Sequence, residues 1–194
     1  MTLFLASKSP RRQELLKLIT TDFRLVEGEI DEQILANESA QDFVLRMAVE
    51  KAEAGLKNID HNKDGWVLGS DTVVVINGQV LGKPKDFSDA NQMLQLLSNN
   101  KHQVLTAVAI VSLTEQFSKV VTTDVEFREI SAQEIEAYWQ SGEPQDKAGS
   151  YGIQGLAGKF VKRIEGSYFS VVGLPLFETE YLLKQACYSQ KDKQ

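Results

Sequence analysis

The sequence has 194 residues, 21 of them Lys or Arg and 27 Asp or Glu, for a formal net charge of −6 at pH 7. That balance excludes broad electrostatic binding to a nucleic acid polymer, because no surplus of cations is present to displace phosphate counterions. Hydrophobic residues at 42% exclude disorder over most of the chain, and a single cysteine, Cys187, excludes an internal disulfide and fits a reducing compartment.

Residues 3–6, Leu-Phe-Leu-Ala, are a short apolar run that predicts a buried strand. Arg11 and Arg12 follow that run instead of preceding it, the reverse of a signal peptide, and no run approaches a membrane span in length. The expectation is a cytoplasmic protein with no membrane partner. Ser9-Pro10 predicts a helix start, with Ser as N-cap, Pro in the first helical position and Leu15, Leu16, Leu18 and Ile19 as the apolar face. Phe23 and Leu25 alternate with polar neighbours like a strand. Ser39 with Asp42 opens a second helix, in which Phe43, Met47, Val49, Ala52 and Leu56 roughly recur at helical spacing.

Residues 66–76 read WVLGSDTVVVI, a long strand with polar Ser70 and Asp71 inside it. Asn77-Gly78 then predicts a two-residue hairpin turn, returning through residues 79–81. Residues 88–97 predict a helix, and residues 104–113 and 120–127 a pair of long strands. Ser131 with Glu134 is a capping box for a further helix. Residues 149–174 predict loops mixed with short strands. A closing helix over residues 176–186 precedes a disordered polar tail at about 189–194. No repeat or linker divides the chain, so residues 1–194 read as one α/β unit, bilobal with a cleft.

Three clusters could carry chemistry. A Ser-Pro helix start leaves backbone N–H groups and a partial positive charge pointing outward. Arg11 and Arg12 beside it either grip an anion or form a solvated basic turn. Asp71 in an apolar strand is costly unless it is paired, metal-bound or facing a cleft. A hairpin can carry Lys83 toward the same sheet edge, although Pro84 and the lack of a glycine at the required spacing exclude a Walker motif. Lys51, beside the small Ala48 and Ala52, either points into a cleft or is an ordinary solvated helix lysine, the blander alternative. The acidic string Glu27, Glu29, Asp31 and Glu32 is either surface or part of a hard-cation site. Gly149, Gly152, Gly155 and Gly158 suggest a loop that approaches packed chain or ligand closely. His61 and His102 lie in polar contexts that predict loops without partners, which disfavours histidine-based catalysis.

Several separate segments together resemble the Maf family of nucleotide pyrophosphatases. They are LASKSPRRQELL at 5–16, EKA at 50–52, GSDTVV at 69–74, LGKPKD at 81–86, TAVAI at 106–110, DKAGSYGIQG at 146–155 and GSYFSVVGLP at 166–175. The resemblance implies a single domain with a mixed twisted sheet flanked by helices, similar to the inosine triphosphate pyrophosphatases, with a cleft between two lobes. It implies hydrolysis of nucleoside triphosphates to monophosphate and pyrophosphate with a divalent cation, Mg²⁺ or Mn²⁺.

By matching position, Asp71 corresponds to the general base and also to a metal ligand, while Lys51 and Lys83 correspond to catalytic lysines. Glu32 matches the metal-binding acid, with adjoining Asp31 left open as the alternative. Ser7 and Arg12 map onto the phosphate-binding loop. Arg11, Thr72 and Gln154 fit the branch acting on dTTP and UTP; the branch acting on N7-methylated GTP carries Trp at position 11. The implied partners are nucleoside triphosphates, with modified pyrimidine nucleotides and a homodimer both left open. The alternative function is a nucleotide-binding regulator of septum formation and cell division. Asp71, Lys51 and Lys83 favour catalysis over it, because mere binding needs no base.

Overall fold

The computed structural model describes residues 2–59 and 65–191, with side chains of the last helix described to residue 187. Its seven strands make a mixed sheet, and the chain divides into two compact units. One unit comprises Met1–Asp71, Thr106–Val121 and Gly173–Gln194; the other comprises Thr72–Leu105 and Thr122–Val172.

In the first unit, β1 (Thr2–Leu5) pairs in parallel with β2 (Phe23–Leu25) and with the start of β3 (Gly65–Ile76). The intervening helix α1 (Pro10–Lys17) buries Leu15 and Leu16. Ser9 holds the N-cap position in extended backbone, but its side chain makes no capping bond. Two residues earlier, the Ser7 hydroxyl accepts from the Ser9 N–H at 3.2 Å, a local turn that leads into the helix. Helix α2 (Ala40–Lys57) starts as its sequence predicts, with the Ser39 hydroxyl accepting from the Asp42 N–H at 3.1 Å.

Ala48, Ala52 and Gly55 give α2 a face of small residues, and that face allows a close approach to β3. A Cβ at Gly69 would sit 2.1 Å from the Ala48 carbonyl oxygen, so only glycine fits. Trp66 stacks on Phe117 at 5.9 Å between ring centroids. The closing helix, α6 (Leu176–Lys191), continues through positions that the sequence reads as the start of a polar tail. Residues 192–194 lie outside the described residues.

In the second unit, the end of β3 turns at Asn77-Gly78 into β4 (Gln79–Leu81), with Val74 opposite Leu81. Both turn residues have positive φ, 50° and 77°, the combination that makes Asn-Gly the favoured hairpin pair. Helix α3 (Phe87–Leu97) is capped by Asp86, one residue earlier than the predicted start. Helix α4 (Ala132–Gln140) carries the predicted capping box, with Ser131 and Glu134 each satisfying the other's backbone N–H.

Strands β5 (Lys101–Val111) and β6 (Gln116–Phe127) both begin earlier than predicted. The segment after α4 is a run of single 3₁₀ turns, followed by β7 (Val161–Glu165) and the short helix α5 (Tyr168–Val172). β7 pairs antiparallel with β6. The core of this unit is aromatic: Phe127, Tyr138, Tyr151 and Phe160 meet edge to face, with centroids 4.8 Å apart for Phe127 and Tyr151.

His102 belongs to that core, which corrects the expectation of a partnerless loop histidine. It is the second residue of β5 and buried, and it bonds the Tyr151 hydroxyl at 2.8 Å. Burial lowers its pKa from 6.5 to about 4, so the ring is neutral at physiological pH. His61 lies outside the described residues.

Candidate active site

Side chains two residues apart on a strand share a face. Gly69 of β3 faces α2, so Asp71 faces it too, and Lys51 lies one helical turn beyond Ala48 on the same side of the helix. The two side chains meet: the Lys51 Nζ donates to Asp71 Oδ1 at 2.7 Å. The same Nζ stands 2.5 Å from Glu32 Oε1. One ammonium therefore gathers two carboxylates. Lys51 and Asp71 each keep 12% side-chain exposure against 46% for Glu32, so Glu32 is the arm that solvent reaches. The solvated-lysine reading of Lys51 is overturned, because its ammonium lies between two acids.

The loop bearing Glu32 is pressed against α2. A Cβ at Gly28 would lie 2.5 Å from the Lys51 carbonyl oxygen. Arg46, on α2, ties the loop down further on. Its guanidinium grips both oxygens of Glu38, at 2.6 and 2.7 Å, and donates to the Gln33 carbonyl, next to Glu32, at 2.9 Å. These bonds pull the Glu38 carboxyl down to about 2. Sequence reasoning missed Arg46. The available signal was an arginine set between Val44-Leu45 and Met47-Ala48 in a helix stretch of mostly apolar residues.

The remaining acids separate cleanly. Glu27 and Glu29 are exposed and pair with Lys8 in the turn before α1. Asp31 is exposed. Between Asp31 and Glu32, the contact with Lys51 belongs to Glu32. Among the described residues no group of three or more His, Cys, Asp or Glu is arranged to hold a metal ion. Glu32 and Asp71 are thus a pair of hard oxygen donors converging on one cationic atom. That suits a cation such as Mg²⁺, which takes one or two protein carboxylates and completes its shell with water and phosphate oxygens.

Arg12 is fixed from another direction. Its Nε donates to the Gly173 carbonyl at 2.9 Å, and the buried Ser70 hydroxyl donates to the same oxygen at 3.1 Å. Burial lowers the Arg12 pKa, the negative charge of Asp71 opposes that shift, and its neighbour Arg11 adds to it. The guanidinium remains cationic at neutral pH. Arg11 sits half-buried in the first turn of α1.

Thr72, Lys83 and Gln154 belong to the second unit. Thr72 is half-buried on β3, Lys83 is exposed two residues past β4, and Gln154 is exposed in the glycine-rich segment. That segment is tightly tied. Glu143 Oε1 accepts from the buried Tyr138 hydroxyl at 2.8 Å, and Oε2 accepts from the Leu156 N–H at 2.8 Å. Tyr138 in turn accepts from the Gly152 N–H at 3.1 Å. Burial and the Glu143 carboxylate push the Tyr138 pKa up, so the phenol stays protonated. Glu143 and Tyr138 were also absent from the sequence-level candidates. Only the glycine spacing hinted that this backbone packs closely against something.

A family model described as Maf-like protein matches residues 2–186. A protein of Vibrio parahaemolyticus serotype O3:K6 (strain RIMD 2210633), named dTTP/UTP pyrophosphatase, is 58% identical over 95% of this chain and 97% of its own length. Proteins of the same name are 53% identical in Salmonella typhimurium (strain LT2), over 99% of this chain and 98% of theirs, and 54% identical in Hahella chejuensis, over 94% and 91%. The structure of the Staphylococcus aureus Ham1 protein superposes with a TM-score of 0.45 at 16% identity, over 64% of this chain and 71% of that one.

Proposed function

The chain belongs to the Maf family, and on that premise we propose that it is a nucleoside triphosphate pyrophosphatase hydrolysing dTTP and UTP to the monophosphate and pyrophosphate. The observation that carries this reading is Lys51, whose ammonium reaches the strand carboxylate Asp71 at 2.7 Å and the more exposed Glu32 at 2.5 Å. Cleavage between the α and β phosphates needs a proton acceptor for the attacking water and positive charge where the leaving pyrophosphate gathers electrons. Asp71 is the acceptor, oriented through Oδ1 by Lys51. Arg12, locked at the Gly173 carbonyl, Lys51 and the exposed Lys83 supply the charge. Ser7 shapes the turn that opens α1, where backbone N–H groups meet phosphate oxygens.

Glu32 and Asp71 are the residues that would hold a divalent cation, Mg²⁺ or Mn²⁺. When bound, it screens the phosphate charge and lowers the pKa of coordinated water. Selection of the base falls to Gln154, whose amide both donates and accepts and so matches the O4 and N3–H edge shared by uracil and thymine. Thr72 and Arg11 assist in that selection. The acidic chain as a whole does not oppose an anionic substrate, because the cations nearest the phosphates set the field that the substrate meets. A cytoplasmic setting goes with this reading, and no described helix is long and apolar enough to cross a membrane.

The test is pyrophosphate release from separate nucleoside triphosphates with Mg²⁺. UTP and dTTP are expected to turn over well above CTP, ATP and GTP. Absence of turnover with every triphosphate would leave the regulator of septum formation, which binds nucleotide without consuming it.

A further inference from the structure

Gln154 presents a difficulty of its own. A glutamine amide exchanges its donor and acceptor by a simple flip, so on a loose loop it pairs with almost any base edge. Selectivity then has to come from whatever fixes the place where the amide meets the base. In this protein that place is braced on both sides of the residue. Two positions before Gln154, the Gly152 N–H donates to the Tyr138 hydroxyl at 3.1 Å. Two positions after it, the Leu156 N–H donates to Glu143 Oε2 at 2.8 Å. The Tyr138 hydroxyl donates to Glu143 Oε1 at 2.8 Å, which closes the two ties into one bracket.

The rest of the loop is fitted to that bracket. A Cβ on Gly155 would lie 2.2 Å from Glu143 Oε2, and one on Gly152 would lie 2.7 Å from Lys147 Cε. Lys147 itself donates to the Glu143 carbonyl at 2.8 Å, holding the backbone that carries the carboxylate. Tyr138 is 3% exposed and packed edge to face on Phe160, so the bracket is rooted in the core of its unit, while Gln154 at its apex is exposed.

We propose that Glu143 and Tyr138 are positioning residues that set base selectivity by holding the backbone on both sides of Gln154. The proposal rests on the reading of Gln154 as the base-recognising residue. Both carboxylate oxygens of Glu143 accept, so the amide of Glu143→Gln either turns its NH2 against the Leu156 N–H or turns it to the Tyr138 hydroxyl, which must then give up its own donation to residue 143. The bracket opens on one side with almost no change in volume. Tyr138→Phe removes the other tie and leaves the ring in place.

The experiment measures kcat and KM for UTP, dTTP, CTP and ATP with Mg²⁺ on the unmutated chain, E143Q and Y138F. Amide exchange at Gly152 and Leu156 and thermal melting are recorded alongside. The expected result for E143Q is an about tenfold fall in the preference for UTP and dTTP over CTP and ATP, the size of one lost polar contact. The fall should come through KM, with kcat within about twofold and faster exchange at Leu156. Y138F should shift selectivity in the same direction and speed exchange at Gly152; it carries the test alone if E143Q does not fold. Unchanged selectivity in a folded variant, or an equal loss for all four nucleotides, overturns the bracket. An unmutated chain with no preference for UTP and dTTP overturns the functional reading instead.

Discussion

The acid–lysine centre of the first unit and the glycine-rich segment of the second reach precision by opposite means. Lys51 and Asp71 stand on a helix and a strand, and their meeting follows from the periods of those elements and from one glycine that lets them approach. Gln154 stands in a turn between two short 3₁₀ segments, with no period to aim it, and side chains of Tyr138 and Glu143 do the aiming. In one place regular backbone holds the functional groups; in the other, functional backbone is held by side chains. The first arrangement yields only to steric damage, the second to the loss of single hydrogen bonds.

The largest expected effect tests the centre on regular elements. Asp71→Asn keeps the size of the side chain and removes the proton acceptor, so kcat for UTP should fall about 10²–10⁴-fold, the usual contribution of a general base. The melting temperature should move little, because the amide oxygen still accepts from Lys51. Turnover within a few-fold of the unmutated chain would show that Asp71 is a structural partner of Lys51 and that the base lies elsewhere.

Next in size is an effect of pH on the second unit. His102 is buried among Phe127 and Tyr151, and its pKa of about 4 lies below the ordinary 6.5. Between those values the unfolded chain binds a proton that the folded chain excludes, so stability rises with pH across this window. The contribution is complete above pH 6.5, is lost progressively as pH falls toward 4, and amounts to about 3 kcal/mol at most. Denaturant melts of the unmutated chain and His102→Gln at pH 7 and pH 4.5 measure it. The gap between the two proteins should shrink at the lower pH, and a constant gap would remove His102 from the acid response.

The same contrast explains what could be read from the sequence. Asp71 was legible because a carboxylate interrupts an apolar run, and the hairpin because Asn-Gly demands a specific turn. The N-cap at Ser39 and the capping box at Ser131 were legible because their bonds close within three residues. His102 was misread although its neighbours alternate in burial, Lys101 and Gln103 out, His102 and Val104 in. Polar residues at the outward positions disguised the strand as a loop. The residues next to Lys51 do not decide its role, and only the resemblance marks it as catalytic, because both of its acids come from elsewhere in the chain, 19 and 20 residues away in sequence. Arg46 and Glu143 left only faint marks, an arginine in an apolar helix stretch and a glycine spacing, because each joins a side-chain partner to a loop backbone group that no side-chain pattern identifies.

Stability sharpens the comparison through glycine. A Cβ at Gly69 would meet the Ala48 carbonyl oxygen at 2.1 Å and the Ala52 nitrogen at 2.7 Å, both helix backbone. Neither can step aside without moving α2 from β3. Gly69→Ala should therefore cost about 3 kcal/mol, the upper part of the range for overpacking. Activity should fall with it, since any shift of α2 parts Lys51 from Asp71. Thermal melting together with turnover measures both, and a melting temperature equal to that of the unmutated chain would mean that α2 and β3 do not rely on this close approach.

The smallest expected effect on stability comes from the corresponding change in the other region. A Cβ at Gly155 would lie 2.2 to 2.4 Å from the Glu143 carboxylate, a clash as severe on paper as that at Gly69. Here the obstacle is the end of a flexible side chain on a half-buried residue, and it can swing away toward water. The backbone at Gly155, with φ of −106°, is not in the left-handed region that only glycine enters readily. The cost is then that of two hydrogen bonds, about 2 kcal/mol. The displaced carboxylate nevertheless releases Leu156 and Tyr138 together, so Gly155→Ala should reproduce the loss of UTP and dTTP preference expected of Glu143→Gln while melting above Gly69→Ala. A large fall in melting temperature would mean that this segment is held as rigidly as α2 against β3, and the distinction between the two regions would fail. A small fall with selectivity intact would mean that Gln154 keeps its place without the bracket.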